Sequence, residues 1–348
     1  MKIRQVKSLT GGEKLAESVF TDKNEILISK GTVLKPEYLD LLSFLGIDSV
    51  CVEDVYREYE IPHHIFSKQK KSDYIQKVQK VQKVLEGHIY QSKNSLEELT
   101  ELANLMVEEI LCVDEDMVLD MEERNGNLYE HTVMVTILSI MTAKKMKLEE
   151  EVMRCMAIGC LLHDLGLRYI TVPYLNCDMR ALSAADGFEY RKHTILAYSA
   201  LEGETWLNPI AKKMILAHHE RKDGSGFPLK QKTKEIECNI LQVCDAFDCM
   251  ISGMECKRVG LQSALEYMIE TSDVLFERKI VKVLQKLIAY YPVGTMVRLN
   301  TGEPGLVMEQ TTNSIRPVIR VLDSEKRITE KIYDLQKEKE VSILEIIV

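Results

Sequence analysis

"CMAIGCLLHDLG", residues 155–166, is the stretch on which the reading of this chain turns. An apolar run ends in a histidine and an aspartate, His163 and Asp164, with Gly166 just beyond. A carboxylate among Ile, Leu and Cys is costly to bury unless it is paired or holds a cation. A second stretch, "AHHERKDGSGFP" at 217–228, sets His218 beside His219 before a glycine-rich turn. Taken singly, each has a plain structural origin: a capping or core-satisfied polar group, or an exposed pair near a helix end.

Partners elsewhere change the balance. Five of the eight histidines fall between 131 and 219, at His131, His163, His193, His218 and His219. Asp245 sits in the apolar string "ILQVCDAFDCMI". The gaps 131 to 163, 164 to 193, 193 to 218 and 219 to 245 each span 25 to 32 residues. That is roughly one helix, a loop and part of the next helix. Ligands spaced in this way can come from successive helices and meet inside a bundle. Imidazole and carboxylate donors without thiolate suit iron, manganese or zinc. The seven residues exceed the needs of one tetrahedral ion, so two divalent ions sharing Asp164 are expected. Such a site activates a water and clamps a phosphoryl group.

Around this core the chain changes character. Residues 1–60 read as a small α/β module: "KLAESVF" and "EILISKG" flank the turn "TDKN" as a hairpin, "KPEYLDLLSFLG" reads as a helix, and "IDSVCVED" as a strand. Residues 61–94 read as a helical linker with an apolar stripe at Ile75, Val78, Val81, Leu85 and Ile89. That stripe suits a connector, a homodimer helix, or a helix packed on its neighbour. Ser95 and Glu98 form a capping-box pattern opening the next helix. Helical periodicity then runs through 95–290. After Tyr291-Pro292, four short β-branched strings, "GTMVRLN", "GLVMEQ", "RPVIRVLD" and "VSILEIIV", imply a small β subdomain over 291–348. The expected class is mainly α, a helical bundle core with a small α/β module before it and a small β subdomain after it.

The net charge of -9 argues against a partner that is a nucleic acid polymer. No apolar run reaches membrane-spanning length, and "MKIRQVKSLTGGEK" has no apolar signal region, so no membrane partner and a cytoplasmic location are expected. The nine cysteines are scattered and read as reduced core residues. His63, His64 and His88 read as exposed linker residues.

The His-Asp doublet in "LLHDLG", together with "HHERKDGSGFP", resembles the HD-GYP family of cyclic-di-GMP phosphodiesterases, a branch of the HD metallohydrolases. The resemblance covers the helical core. The tail "YPVGTMVRLNTGEPGLVMEQ" is also similar to the segment that often follows this core in Gram-positive bacteria, and the N-terminal module to those that precede it. It implies an HD-type bundle, with His131, His163, Asp164, His193, His218, His219 and Asp245 as metal ligands. Asp164 falls on the bridging position and is the expected catalytic residue. The implied reaction is hydrolysis of cyclic-di-GMP to pGpG or GMP by metal-hydroxide attack at a dinuclear centre holding iron or manganese, with zinc as a further candidate. Asp223, Gly224 and Gly226 in the loop, with Lys257, are expected on the substrate side. The loop is also a candidate for docking a protein partner.

Several positions depart from the family pattern. The family's HD-x-G-K lysine is Leu167, with Arg168 one helical step of about 100° further on. The glutamate that supports a third metal in some members is Asn127, and the GYP tyrosine is Phe227. The family's arginine-containing segment reads Met254, Glu255, Cys256, Lys257. Losing general-acid help costs about 10²- to 10⁴-fold in rate. Two alternatives therefore stand beside the enzyme: a metal-binding sensor or scaffold of cyclic-dinucleotide signalling, and an HD phosphohydrolase acting on another nucleotide.

Overall fold

The structure is a computed structural model that describes residues 2–9, 11–20, 26–47, 49–53, 56, 59–87, 93–121 and 124–347. It divides into two compact units. One comprises Met1–Pro62, Tyr291–Gln310 and Arg316–Val348; the other comprises His63–Tyr290 and Thr311–Ile315.

The first unit opens with β1 (Lys2–Gln5), β2 (Val19–Phe20), β3 (Ile26–Ile28), α1 (Pro36–Phe44) and β4 (Ser49–Val52). The β2–β3 hairpin is antiparallel as expected, and its "TDKN" turn lies outside the described residues. Pro36 starts α1, where its missing N–H is no loss, and Gly46 follows its end at φ +72. β1 pairs antiparallel with β4, a partner that the sequence pattern does not reveal. Leu15, Leu34, Leu42, Val50 and Val52 form this module's core.

The rest of this unit is an antiparallel sheet of β5 (Met296–Leu299), β6 (Pro304–Glu309), β7 (Val318–Leu322), β8 (Ile328–Asp334) and β9 (Ile343–Ile346). Its strand order is β8-β7-β6-β5-β9. Val297, Leu299, Val307 and Ile319 fill its buried face. Four strands match the four expected strings. β8 is an addition to them: "ITEKIYD" leaves Glu330, Lys331 and Ile332 exposed, and an edge strand tolerates such charge.

The second unit is helical: α2 (Lys68–Gly87), α3 (Lys93–Leu111), α4 (Leu128–Lys145), α5 (Glu150–Leu162), α6 (Ala184–Leu201), α7 (Pro209–Ala217), α8 (Ile236–Ser252), α9 (Leu261–Glu270) and α10 (Arg278–Leu287). The mainly α class holds. α4 is the central helix, buried over most of its length and packed on α2, α5, α8 and α10. Met106, Ile110, Leu138, Ile140, Met141 and Phe247 lie wholly inside this core. α3 begins at Lys93, so Ser95 stands within its first turn and not ahead of it as the capping-box pattern implied. Among the described residues, no helix is long and apolar enough to cross a membrane.

Two expectations are corrected. His63 and His64 are half-buried, not exposed, because the His63 backbone pairs with Asp120: its N–H donates to Asp120 Oδ2 at 2.8 Å and its carbonyl accepts from the Asp120 N–H at 3.0 Å. His88 lies outside the described residues. Cys112 is exposed, whereas Cys155, Cys160, Cys238, Cys244 and Cys249 are core residues as expected.

α2 belongs to the packed interior of the helical unit. Tyr74, Val78 and Val81 are buried, Tyr74 Oη donates to Glu109 at 2.6 Å, and Gln82 Nε2 donates to the Leu161 carbonyl at 2.9 Å. Val78→Ala is expected to destabilise the helical unit by about 1.5–3 kcal/mol through lost burial and a cavity. Thermal denaturation checks this; an unchanged Tm would mean that α2 stands off the unit.

Candidate metal centre

Each sequence-predicted donor sits near the end of an element or on a buried face. His131 lies in the first turn of α4, and His163 follows the last residue of α5. Asp164 opens a 3-10 turn over Leu165–Tyr169. His193 is on the inner face of α6, His218 and His219 follow α7, and Asp245 is on α8. All seven side chains are buried. Gly166 makes the approach of α6 feasible, since a Cβ there would lie 1.9 Å from the His193 carbonyl oxygen. Gly226 has the same role beyond α7, where a Cβ would fall 2.3 Å from the His219 carbonyl oxygen.

The rings are held by their outer nitrogens. His163 Nδ1 donates to the Cys160 carbonyl at 2.6 Å, His193 Nδ1 to that of Tyr190 at 2.8 Å, and His218 Nδ1 to that of Ile215 at 2.8 Å. His131 Nδ1 meets Asp248 Oδ2 at 2.7 Å, and Arg124 binds the same carboxylate at 2.6 Å. In the neutral ring, outer-nitrogen bonds of this kind fix the tautomer and leave Nε2 as an inward lone pair. The consequence is sharpest between His193 and His218, whose Nε2 atoms face each other at 3.2 Å. With both protons on Nδ1, that contact sets lone pair against lone pair.

The two oxygens of Asp164 face opposite ways. Oδ2 lies 3.4 Å from His131 Nε2 and 3.3 Å from His163 Nε2, whereas Oδ1 lies 3.4 Å from His218 Nε2 and 3.9 Å from His193 Nε2. Asp245 Oδ1 joins the first side, 3.2 Å from His131 Nε2 and 3.5 Å from His163 Nε2. The donors thus form two sets, His131, His163 and Asp245, and Asp164, His193, His218 and His219. Both Asp164 oxygens, Asp245 Oδ2, and Nε2 of His131, His163 and His219 are buried without a hydrogen-bond partner. Orphaned polar atoms at this density are expensive in a dry interior. A pair of cations would satisfy them, so the residues fit divalent metal.

Other expected site residues behave differently. Asp223 is exposed and accepts from the Ser225 N–H at 2.9 Å, which shapes the loop; Gly224 takes φ +79. Lys257 is exposed. Phe227 stacks on His219 at 4.5 Å between ring centres. Asn127 spends its side chain capping α4, accepting from the Tyr129 and Glu130 N–H groups at 3.1 and 3.0 Å. Arg168 directs its guanidinium to the Tyr129 hydroxyl and lies over that ring at 5.2 Å. Leu167 and Met254, at two positions where the family pattern has cations, are gathered with Tyr190 and Cys249 in one apolar cluster.

Three contributors are missing from the sequence-based set. Asp248, three residues after Asp245 on the same helix face, orients His131; the "DAFD" spacing carries that signal. Glu220 is buried, and its carboxylate accepts from the N–H groups of Leu229, Lys230 and Gln231 at 2.6, 3.0 and 2.9 Å, tying down the chain after the loop. Glu255, buried at the edge of the second donor set, places Oε2 3.1 Å from His219 Nε2. Nothing local in "GMECKR" marks it.

Burial pushes His193 and His219 down to about 4, so both are neutral near pH 7 and present lone pairs. Burial also works against a proton on His163, but the Asp164 and Asp245 carboxylates outweigh it and raise this group to about 10. Below that value, an ion entering the first set displaces the His163 proton. Burial likewise opposes a proton on His131, but Cys249 and the carboxylates of Asp164, Asp245 and Asp248 hold that group well above its ordinary value. Metal loading of the apo protein at pH 8 is therefore expected to release about two protons, one from each ring of the first set, with affinity rising as pH rises toward 10. Calorimetry in buffers of different ionisation enthalpy measures this; no proton release would contradict it. Gly166→Ala is expected to cost at least the ~1–3 kcal/mol of ordinary overpacking, because the obstruction is backbone. Thermal denaturation and elemental analysis should show lower Tm and lower metal content together.

Comparison with known proteins bears on the family and the fold. The HD domain family model matches residues 106–280. Cyclic di-GMP phosphodiesterase PA4108 of Pseudomonas aeruginosa is 29% identical over 214 residues, covering 60% of this chain and 51% of that protein. A cyclic di-GMP phosphodiesterase of Thermotoga maritima is 27% identical over 215 residues, covering 58% of each. The chain thus spans between half and three-fifths of these relatives. Among solved structures, Bd1817, an HDG"Y"P protein from Bdellovibrio bacteriovorus, superposes with a TM-score of 0.52 at 17% identity, covering 81% of this chain and 97% of that one. That likeness concerns the fold. With its family match, inside which its His-Asp doublet lies, the chain belongs to the HD domain family.

Proposed function

We propose that the helical unit is a metal-dependent phosphodiesterase that opens a cyclic dinucleotide, cyclic-di-GMP foremost, to pGpG or GMP. The observation that carries this reading is Asp164, with one oxygen toward each of two histidine sets. His131, His163 and Asp245 would hold one divalent ion, and His193, His218 and His219 the other, with Asp164 shared between them. Nitrogen and oxygen donors without thiolate suit iron or manganese, with zinc as the further candidate. Two ions in these sets would supply an activated water and a clamp on phosphoryl oxygens.

The chain's own residues then position and exclude. Asp248 and the carbonyls of Cys160, Tyr190 and Ile215 keep the imidazoles aimed inward. Phe227 and Tyr190 pack on the His193 and His219 rings and keep water from that side. The names carried by the relatives support a cyclic dinucleotide as substrate.

A second reading is favoured by a specific observation. Leu167 and Met254 replace cations of the family pattern and pack together in an apolar cluster. A metal-binding sensor or scaffold of cyclic-dinucleotide signalling would tolerate that loss, and so would a hydrolase for another nucleotide.

Single-turnover hydrolysis of cyclic-di-GMP by protein loaded anaerobically with iron or manganese separates these readings. Metal-dependent product is expected, at a rate about 10²- to 10⁴-fold below that of an enzyme with its general acid. Asp164→Ala should abolish it. Absence of product from protein shown to hold two ions would move the assignment to the sensor or to another substrate.

A further inference from the structure

We propose that Glu255 is a protein ligand of the ion held by Asp164, His193, His218 and His219. This rests on the metal-centre reading given above and adds a donor that the family pattern does not provide. Three observations carry it. The Glu255 side chain is 5% exposed, and its Oε1 is buried without a hydrogen-bond partner. Oε2 stands 3.1 Å from His219 Nε2, and Oε1 stands 3.9 Å from His193 Nε2. The His219 contact does not meet hydrogen-bond geometry, since His219 Nε2 is itself without such a partner. Two acceptors placed this close, out of line for a shared proton, make a favourable pair around a cation and a poor one without it.

The backbone supplies the third observation. Glu255 adopts φ +56, a left-handed conformation that disfavours a residue with a side chain. Its N–H is pinned to the Tyr174 carbonyl at 2.7 Å, and Met254 on one side is sunk in the apolar cluster. The strained turn delivers a carboxylate to the donor set where an arginine-containing segment would otherwise deliver positive charge toward phosphate. With Glu255 included, this ion has five protein donors, the four of its set and one more. A position that an open hydrolytic site leaves to water or substrate is then taken by the chain itself. The carboxylate also neutralises part of the charge that attracts a phosphodiester. Glu255 thereby sets both the metal affinity of this site and its reluctance toward anionic ligands.

The test is metal binding by the full chain and by its Glu255→Gln and Glu255→Ala variants. Stoichiometry is read by elemental analysis, manganese affinity by competition with a chelator, and the ligand field by cobalt(II) absorption. The wild-type protein should hold two ions. Both variants should bind one of the two on the order of 10- to 100-fold more weakly. Their cobalt spectrum should change at that site, and Glu255→Asp should recover part of the affinity. The apo forms add a readout that a merely structural glutamate would not give. Glu255 Oε2 accepts from Cys249 Sγ at 4.0 Å, whereas Oε1 is buried without a partner. Removing this half-satisfied carboxylate should leave the apo Tm equal or higher, while the Tm gain on adding metal shrinks. Two ions bound with unchanged affinity and spectrum in both variants would overturn the proposal and leave the metal centre standing. A wild-type protein that binds no ion would overturn the metal centre, and Glu255 as ligand with it.

Discussion

A buried carboxylate that turns one oxygen to each of two histidine sets is the constraint around which the helical unit is arranged. Asp164 can do this only if four helix ends or faces converge on it: the start of α4, the end of α5, the inner side of α6 and the end of α7. Four of the five imidazoles are locked from behind, three by the carbonyl three residues earlier and one by Asp248. Gly166 removes the Cβ that would hold the 3-10 turn away from α6. The apolar core around α4 provides the free energy that keeps these acceptors together, since without a cation they oppose one another.

The departures from the family pattern form one coherent change. Leu167 and Met254 are packed with Tyr190 and Cys249, so two positions where the resemblance implies cations are part of an apolar cluster. The carboxylate of Glu255 enters the donor set from the adjacent residue. On the proposed reading, such a site would keep the means to hold divalent ions and lose positive charge directed at phosphate. For the same reason an enzyme reading and a sensor reading both attach to this chain: they share the metal sets and differ in the substrate side.

Legibility in the sequence followed the strength of the local pattern. β5, β6, β7 and β9 were legible because β-branched residues are bounded by Gly, Pro, Asn and Asp. β8 was not, because an edge strand with Glu330, Lys331 and Ile332 in solvent carries little apolar alternation. The apolar stripe of α2 was visible, yet its partner was not. A stripe at Val78 and Val81 reads the same on a dimer helix as on one buried beside α3 and α4.

The candidate donors could be named from sequence because imidazoles and carboxylates set in apolar strings, one helix-and-loop apart, are costly to bury unless they meet one another or a cation. By itself the sequence therefore determined the mainly α class, the donor types and the resemblance to HD-GYP proteins. Only the tertiary structure decided which donors share a side of Asp164, that Asp248 aims His131, and that Asn127 is spent on a helix cap. It also decided that Glu220 ties the loop and that Glu255 reaches the donor set. The reason is physical: composition and periodicity encode what a residue prefers to bury, whereas the direction of a lone pair depends on where a distant helix places its backbone.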